Sequence, residues 1–116
     1  MRNALEAFKA IGESTRFRSL RLLILAGSEL CACEIIDALE KPQYAISKCL
    51  GTLVDAELID ERRDGRMMMY SLAHSPMNDA LFAAVTNAPE TDELAADSKR
   101  LASRLSRRQG CVCTDC

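Results

Sequence analysis

The sequence feature that most constrains the fold is a pair of short amphipathic segments joined at Pro42 and followed at once by a hairpin signal. Each segment repeats apolar side chains at three- and four-residue intervals, which predicts a helix. We expect Ser28 to cap the first helix and Pro42 to lie in the first turn of the second. The apolar positions are Ile35, Ile36 and Leu39 in the first segment and Ile46, Leu50, Leu53 and Val54 in the second. Two short helices joined so tightly indicate a helix-turn-helix.

Two strand-like runs follow, at residues 58–63 and 66–72. They flank the dipeptide Asp64-Gly65, and Asp-Gly between such runs is a strong hairpin signal. We therefore predict a wing-like hairpin after the second helix. The second run contains three consecutive methionines, a composition that suggests copper, but alternation in a strand favours core and interface packing for them.

Helical spacing recurs on both sides of this unit. Ser14 is a candidate cap and Gly27 a candidate stop for one of these helices, which carries Arg18 and Arg21 off its apolar face. The flanking helices are predicted at residues 3–12, 15–26, 77–87 and 92–109. The predicted fold class is therefore mostly α with a β-hairpin wing, a winged helix-turn-helix.

Composition places the chain among single soluble domains. It has 116 residues, of which 48% are hydrophobic and 28% charged. A domain this short buries a modest core, so we expect a homodimer. No transmembrane or secretory segment is evident, which predicts a cytoplasmic protein without a membrane partner. The net charge of −2 argues against a general nucleic-acid coat protein.

Three segments together resemble the ArsR/SmtB family of dimeric winged-helix repressors. They are ELCACEI at 29–35, PQYAISKCLGTLVDAELI at 42–59 and DERRDGRMMMYSL at 60–72, and the resemblance covers residues from about 3 to 88. It implies a non-enzymatic transcriptional repressor that leaves its operator DNA when a metal or metalloid inducer binds. The cysteine-marked branch is similar to sensors of trivalent arsenic and antimony, or of cadmium and lead. We accordingly assign residues 1–88 to DNA binding and dimerisation, and residues 89–116 to a basic helical tail ending in a cysteine cluster.

The second helix of a helix-turn-helix places its N-terminal part in the major groove, while a wing reaches phosphates or the minor groove. The predicted DNA-binding residues are Gln43, Tyr44, Ser47 and Lys48 on the helix and Arg62, Arg63 and Arg66 on the hairpin. Acidic residues are interspersed along the same segment, so affinity is expected to depend on dimerisation and to fall with salt.

Five of the six cysteines form two clusters, and in a reducing cytosol clustered thiols more often bind metal or sense redox state than form structural bridges. The candidate metal ligands are Cys31, Cys33, Cys111, Cys113 and Cys116. In a regular helix Cys31 and Cys33 would point about 200° apart, so we expect ion binding to distort the helix start. The helix N-terminus would stabilise their thiolates.

Trivalent arsenic prefers three thiolates, whereas Cd(II) or Pb(II) takes three or four. The best-known family pattern has a third cysteine three residues after the second, but this chain has Ile36 there. We expect the tail cysteines to supply the missing ligand, from the same or the partner subunit. Alternatives are a separate three-thiolate site in the tail, or a contribution from Cys49, for which packing is the better interpretation.

Three other kinds of thiol or metal chemistry compete with this interpretation. A thiol redox switch would keep the DNA-binding unit and use disulfides in place of an inducer. A thiol enzyme is disfavoured because the sequence has no C-x-x-C after a strand, no base partner and no oxyanion loop. A zinc site on the fifth helix is disfavoured because that helix offers Asp79 alone, and His74 is expected to be a surface or capping residue.

Overall fold

A computed structural model describes residues 3–108 as six helices and a three-stranded antiparallel sheet. The elements are α1 (Ala4–Ile11), α2 (Ser14–Ala26), β1 (Leu30–Cys31), α3 (Ala32–Leu39), α4 (Gln43–Asp55), β2 (Ile59–Asp64), β3 (Met67–Leu72), α5 (Pro76–Asn87) and α6 (Asp92–Leu105). The predicted mixture of helices with a hairpin wing is confirmed. Within residues 3–108, none of the helices combines the length and apolarity needed to cross a membrane.

Helices α3 and α4 form the helix-turn-helix. Helix α3 ends at Glu40, whose left-handed conformation (φ 55°) turns the chain toward Pro42. Pro42 is the extended N-cap of α4, one position before the predicted first turn. Ser28 does not cap α3. Cys31 occupies the N-cap, and its backbone N–H donates to the Glu34 carboxylate at 3.0 Å.

The sheet has the strand order β1-β3-β2. The hairpin joins β2 and β3 through Gly65, whose φ of 65° suits a residue without a Cβ, as the Asp-Gly signal predicted. Strand β1 was not predicted. It pairs with β3 so that Cys31 lies opposite Met69, which anchors the start of α3 to the wing.

Helix α2 ends as predicted at Gly27, in the left-handed conformation (φ 64°). Its cap is Glu13, not Ser14: the Glu13 carboxylate accepts from the backbone N–H groups of Thr15 and Arg16, at 3.0 and 3.1 Å. These hydrogen bonds lower the pKa of Glu13.

Helix α6 packs lengthwise against α3 and also contacts α2. Leu94 and Leu101 turn inward as the periodicity predicted, but charged side chains are buried with them. Arg18 donates two hydrogen bonds to Asp97, at 2.8 and 2.9 Å, and Asp97 is fully buried. Arg18 and Arg21 lie off the apolar face of α2, as predicted, but they are buried there, because α6 and the segment before it supply carboxylate, carbonyl and hydroxyl acceptors.

Candidate thiol site and DNA-binding surface

Cys31 and Cys33 do not share one regular helix. Cys31 is the last residue of β1 and has an extended backbone (φ −88°, ψ 162°), and Cys33 lies in the first turn of α3. The expectation that ion binding must distort the helix start is therefore wrong in its premise, because one of the two thiols already lies outside the helix. Both residues are disulfide-bonded in this structure.

The side chains around these cysteines form a small sulfur-rich cluster beside the main core. Cys31 and Met69 are 1% and 4% exposed, and the half-buried Cys33 and Met67 pack against them. Ile36, at the position of the family's third cysteine, packs against the main core instead. Among residues 3–108, no three Cys, His, Asp or Glu side chains converge on a common point suited to a metal ion. A three-thiolate site at Cys31 and Cys33 thus needs a third ligand that the described residues of this single chain do not bring there.

A buried carboxylate links the thiol pair to Arg108, three residues beyond the end of α6. Glu34 is fully buried and accepts from the Cys31 backbone and from the Arg108 guanidinium, whose Nη2 is 2.5 Å from Glu34 Oε1. Arg108 Nε donates to the other carboxylate oxygen, and Nη2 also donates to the Glu29 carbonyl at 2.9 Å. These contacts fix the last described residue beside the start of α3. The predicted ligands Cys111, Cys113 and Cys116 lie outside the described residues.

The predicted DNA-binding side chains lie at the surface. Gln43, Tyr44, Ser47 and Lys48 occupy the first two turns of α4 and are exposed, Tyr44 to 78%. Arg62, Arg63 and Arg66 are exposed on and beside the hairpin. Their exposure leaves room for contacts with a duplex.

Arg62 forms an ion pair with Glu29, the residue just before β1. Its Nε and Nη2 each lie 2.6 Å from a carboxylate oxygen of Glu29, and this hydrogen bonding lowers the pKa of Glu29. A bidentate pair of this kind competes with a phosphate for the same guanidinium.

A cavity of about 560 Å³ lies between the thiol pair and the exposed face of α4. Cys31, Cys33, Gln43, Ser47, Arg66 and Met67 are among its lining residues. The candidate inducer site and the candidate DNA-binding surface therefore border the same space.

The family profile described as "Bacterial regulatory protein, arsR family" matches residues 15–61, from α2 into β2. The arsenic resistance transcriptional regulator ArsR1 of Pseudomonas putida is 36% identical over 107 residues, which span 90% of this chain and 82% of that protein. This chain belongs to the ArsR family. The uncharacterized HTH-type transcriptional regulator MJ1325 of Methanocaldococcus jannaschii is 45% identical over 67 residues, 58% of this chain and 74% of that protein.

The ArsR-family fold is also seen in solved structures. Reduced HlyU from Vibrio cholerae superposes with a TM-score of 0.64 at 27% identity, covering 71% of this chain and 83% of that one. Membership in the ArsR family identifies a transcriptional regulator with a winged helix-turn-helix, as the sequence resemblance implied.

Two further predictions for this ArsR-family chain concern single residues. Cys49 is buried in α4 as a free thiol, 4.0 Å from Glu13, and burial raises its pKa, which fits the predicted packing role. His74 is exposed as predicted, with Nδ1 2.7 Å from Asp79 and its ring edge-to-face with Phe82.

Sequence reasoning missed the Glu34–Arg108 contact. One signal was available, because a capping residue followed three positions later by glutamate is a capping-box pattern, and Cys31 and Glu34 have that spacing. Nothing in the sequence indicated that Arg108 would be the partner of Glu34, since 74 positions separate them.

Proposed function

We propose that this protein is a homodimeric repressor that binds operator DNA and is released when trivalent arsenic or antimony binds the thiolates of Cys31, Cys33 and one tail cysteine. The observation that carries the proposal is the Arg108–Glu34 contact beside Cys31. Cys111 follows Arg108 by three residues, and three residues of extended chain reach about 10 Å. A tail thiol of the same subunit is therefore within reach of the pair.

The chemistry of the inducer supports three thiolates. Arsenous acid, As(OH)₃, exchanges its three hydroxyls for three cysteine sulfurs and releases three waters, with each thiol proton leaving on one of them. Such a centre is neutral and pyramidal, and soft thiolates are the ligands it prefers. Relatives named as arsenic or arsenical resistance regulators make this metalloid the leading candidate. Cd(II) or Pb(II), which would recruit a further thiolate, is the alternative within the same site.

Release from DNA would follow from the position of Cys31. Cys31 is the last residue of β1 and the N-cap of α3, so a bond to its sulfur would act on both β1 and α3. Strand β1 pairs with β3 of the wing, and α3 packs against α4. Drawing the tail toward Cys31 would change the angle between α3 and the wing, and with it the spacing of Gln43 and Arg66 on the duplex.

The deciding experiment is a fluorescence anisotropy titration of the reduced full-length chain on its own upstream DNA. Arsenite, antimonite, cadmium, lead and zinc are added in turn. We expect arsenite and antimonite to release wild type, and neither to release a Cys31→Ser/Cys33→Ser variant that still binds DNA. Cys49→Ser is the matched control and should respond as wild type. Release of the double variant by arsenite, or of wild type by zinc alone, would contradict the proposal.

The tail requires its own test. A Cys111→Ser/Cys113→Ser/Cys116→Ser variant should bind DNA normally and lose most of its arsenite response. An unchanged response would show that the tail is not needed for the third ligand.

A redox switch is the second candidate, and the disulfide-bonded state of Cys31 and Cys33 favours it. Under this alternative, peroxide without any metalloid would release the reduced protein from DNA and a dithiol would restore binding. Full DNA affinity of the oxidised protein would exclude it.

A further inference from the structure

The turn that follows α4, the second helix of the helix-turn-helix, contains a glutamate in a backbone conformation that favours glycine. Glu57 has φ 60°, and its backbone N–H donates to the carbonyl of Val54 at 2.9 Å. The N–H of Leu58 donates to the carbonyl of Leu53 at 3.1 Å. These two hydrogen bonds form the Schellman motif that ends many helices, in which the left-handed position is usually glycine. Because a glutamate is strained there, other contacts must hold the turn in this conformation.

A buried asparagine of α5 holds the turn. Asn78 is 2% exposed, and its Nδ2 donates to the carbonyl of Glu57 at 2.9 Å and to the carbonyl of Ala73 at 2.7 Å. A carboxamide nitrogen carries two hydrogens, so it can make both hydrogen bonds at once. The backbone N–H of Asn78 donates to the Ser75 hydroxyl at 3.1 Å, which fixes the asparagine in the first turn of α5. One side chain therefore binds two separate loops.

The two carbonyls lie where the chain leaves α4 and where it leaves the wing. Glu57 lies between α4 and β2, and Ala73 directly follows β3. The Ala73 N–H donates to the carbonyl of Leu58 at 3.0 Å, so the two loops also contact each other. A helix-turn-helix reads the major groove with its second helix, while a wing reaches phosphates or the minor groove. The orientation of α4 relative to the wing thus decides whether both can contact one duplex.

We infer that Asn78 is a positioning residue for DNA binding, which sets the orientation of α4 relative to the β2–β3 wing by holding the carbonyls of Glu57 and Ala73. The asparagine is buried and acts through these two elements without touching DNA. Loss of its two donors frees the strained turn, so that Gln43 of α4 and Arg63 of the wing no longer reach the duplex together. The inference rests on the operator binding of the proposed function and requires neither an inducer nor a cysteine.

The first test is operator affinity, measured by fluorescence anisotropy with the reduced full-length chain on its upstream DNA. Asn78→Leu keeps the branched shape of the side chain but has no N–H donor. We expect it to bind at least about tenfold more weakly than wild type, a loss comparable to that of one specific base contact. The matched control is Asn87→Leu, because Asn87 is exposed on the same helix and donates only within it, to the Ala83 carbonyl at 2.9 Å. Equal affinities of Asn78→Leu and wild type would overturn the inference.

A second pair of variants separates positioning from a loss of stability. Glycine adopts the left-handed conformation without strain, so Glu57→Gly should stabilise the turn and offset the destabilisation caused by Asn78→Leu. Thermal unfolding measures this offset. We expect the Asn78→Leu/Glu57→Gly variant to bind operator DNA at least about tenfold more weakly than Glu57→Gly alone, which has the same net charge. If these two variants bind equally, Asn78 contributes only to folding and the inference is wrong.

Residual dipolar couplings of the backbone amides test the positioning without DNA. We expect α4 and the wing each to keep their internal structure in Asn78→Leu/Glu57→Gly, but to change their relative orientation compared with Glu57→Gly. An unchanged orientation would overturn the inference. If wild type fails to bind its upstream DNA while the orientation depends on Asn78, the proposed function fails and the orienting role of Asn78 stands. If arsenite releases wild type from DNA while the Asn78 variants bind and orient as their controls do, the reverse holds.

Discussion

At the scale of single residues, the described part of this protein contains buried charges that pair with oppositely charged side chains. Asp97 has no exposed surface and accepts two hydrogen bonds from Arg18 and one from Arg100, the last at 2.9 Å. Arg100 in turn donates to the Ala38 carbonyl at the end of α3. A buried ion pair adds little net stability when formed, but the loss of one partner leaves the other charge buried and uncompensated.

Asp97→Asn should therefore destabilise the fold by about 3–5 kcal/mol, because the Arg18 guanidinium keeps its charge and loses its carboxylate. For a domain of this size the melting temperature should fall by more than about 10 °C. Glu93→Gln is the control, since Glu93 is exposed and lies 3.6 Å from Arg18, and it should change stability by less than about 1 kcal/mol. Thermal and urea unfolding measure both variants. A similar loss of stability in Asp97→Asn and Glu93→Gln would contradict the view that Asp97 is the main partner of the buried Arg18 charge.

The residue scale is also where sequence reasoning was least accurate. The periodicity of α2 identifies its apolar face, but a packed charged face looks like a solvated one in the sequence. Arg18 and Asp97 are 79 positions apart, so their pairing depends on where α6 docks. The N-cap of α2 is Glu13, one position before the predicted Ser14, and local propensity does not resolve helix boundaries to a single residue.

At the scale of elements, two of the contacts that join the wing to the segment leading into α3 involve hydrogen bonds. One is the β1–β3 ladder, and the other is the bidentate Glu29–Arg62 pair. Arg108, three residues beyond the end of α6, donates a hydrogen bond to the carbonyl of Glu29. Arg62 of the wing is thereby connected, through Glu29, to Arg108, which precedes the proposed tail ligands in the sequence.

Glu29→Gln should raise operator affinity several-fold at low salt, because Arg62 loses its charged competitor and gains a phosphate contact. One added contact should steepen the dependence of log K on log salt by about 0.9. Glu61→Gln, an exposed acid on the same wing, changes the net charge equally and serves as the control. Anisotropy titrations from low to moderate salt give both slopes. If Glu29→Gln and Glu61→Gln have equal operator affinities and equal salt slopes, the effect comes from net charge and not from freeing Arg62.

At the scale of the whole molecule, α1 leaves large apolar side chains in solvent. Leu5 and Phe8 are each 59% exposed in the single chain, while the same helix packs Ala7 and Ala10 inward. Large exposed apolar side chains are typical of a surface that contacts another protein. In the proposed homodimer, α1 is the natural place for part of the subunit contact.

Phe8→Gln should shift the protein from dimer toward monomer and weaken operator binding at least tenfold, since each half-site contact depends on the second subunit. Lys9→Gln, an exposed neighbour on α1, should leave the dimer intact. Sedimentation velocity at several concentrations measures the association. If Phe8→Gln remains dimeric at the lowest concentration, the interface lies elsewhere on the molecule.

Local sequence patterns specify the helices, the hairpin and the order in which they occur, because periodicity and turn residues act over a few neighbouring positions. They also place Cys31 and Cys33 together at the entry to the helix-turn-helix. Three features depend on the packed molecule: Cys31 ends a strand opposite Met69, α6 buries the α2 arginines, and Arg108 meets Glu34 beside the thiol pair. These contacts join residues far apart in the chain, and their formation depends on the docking of whole elements, which local patterns do not encode.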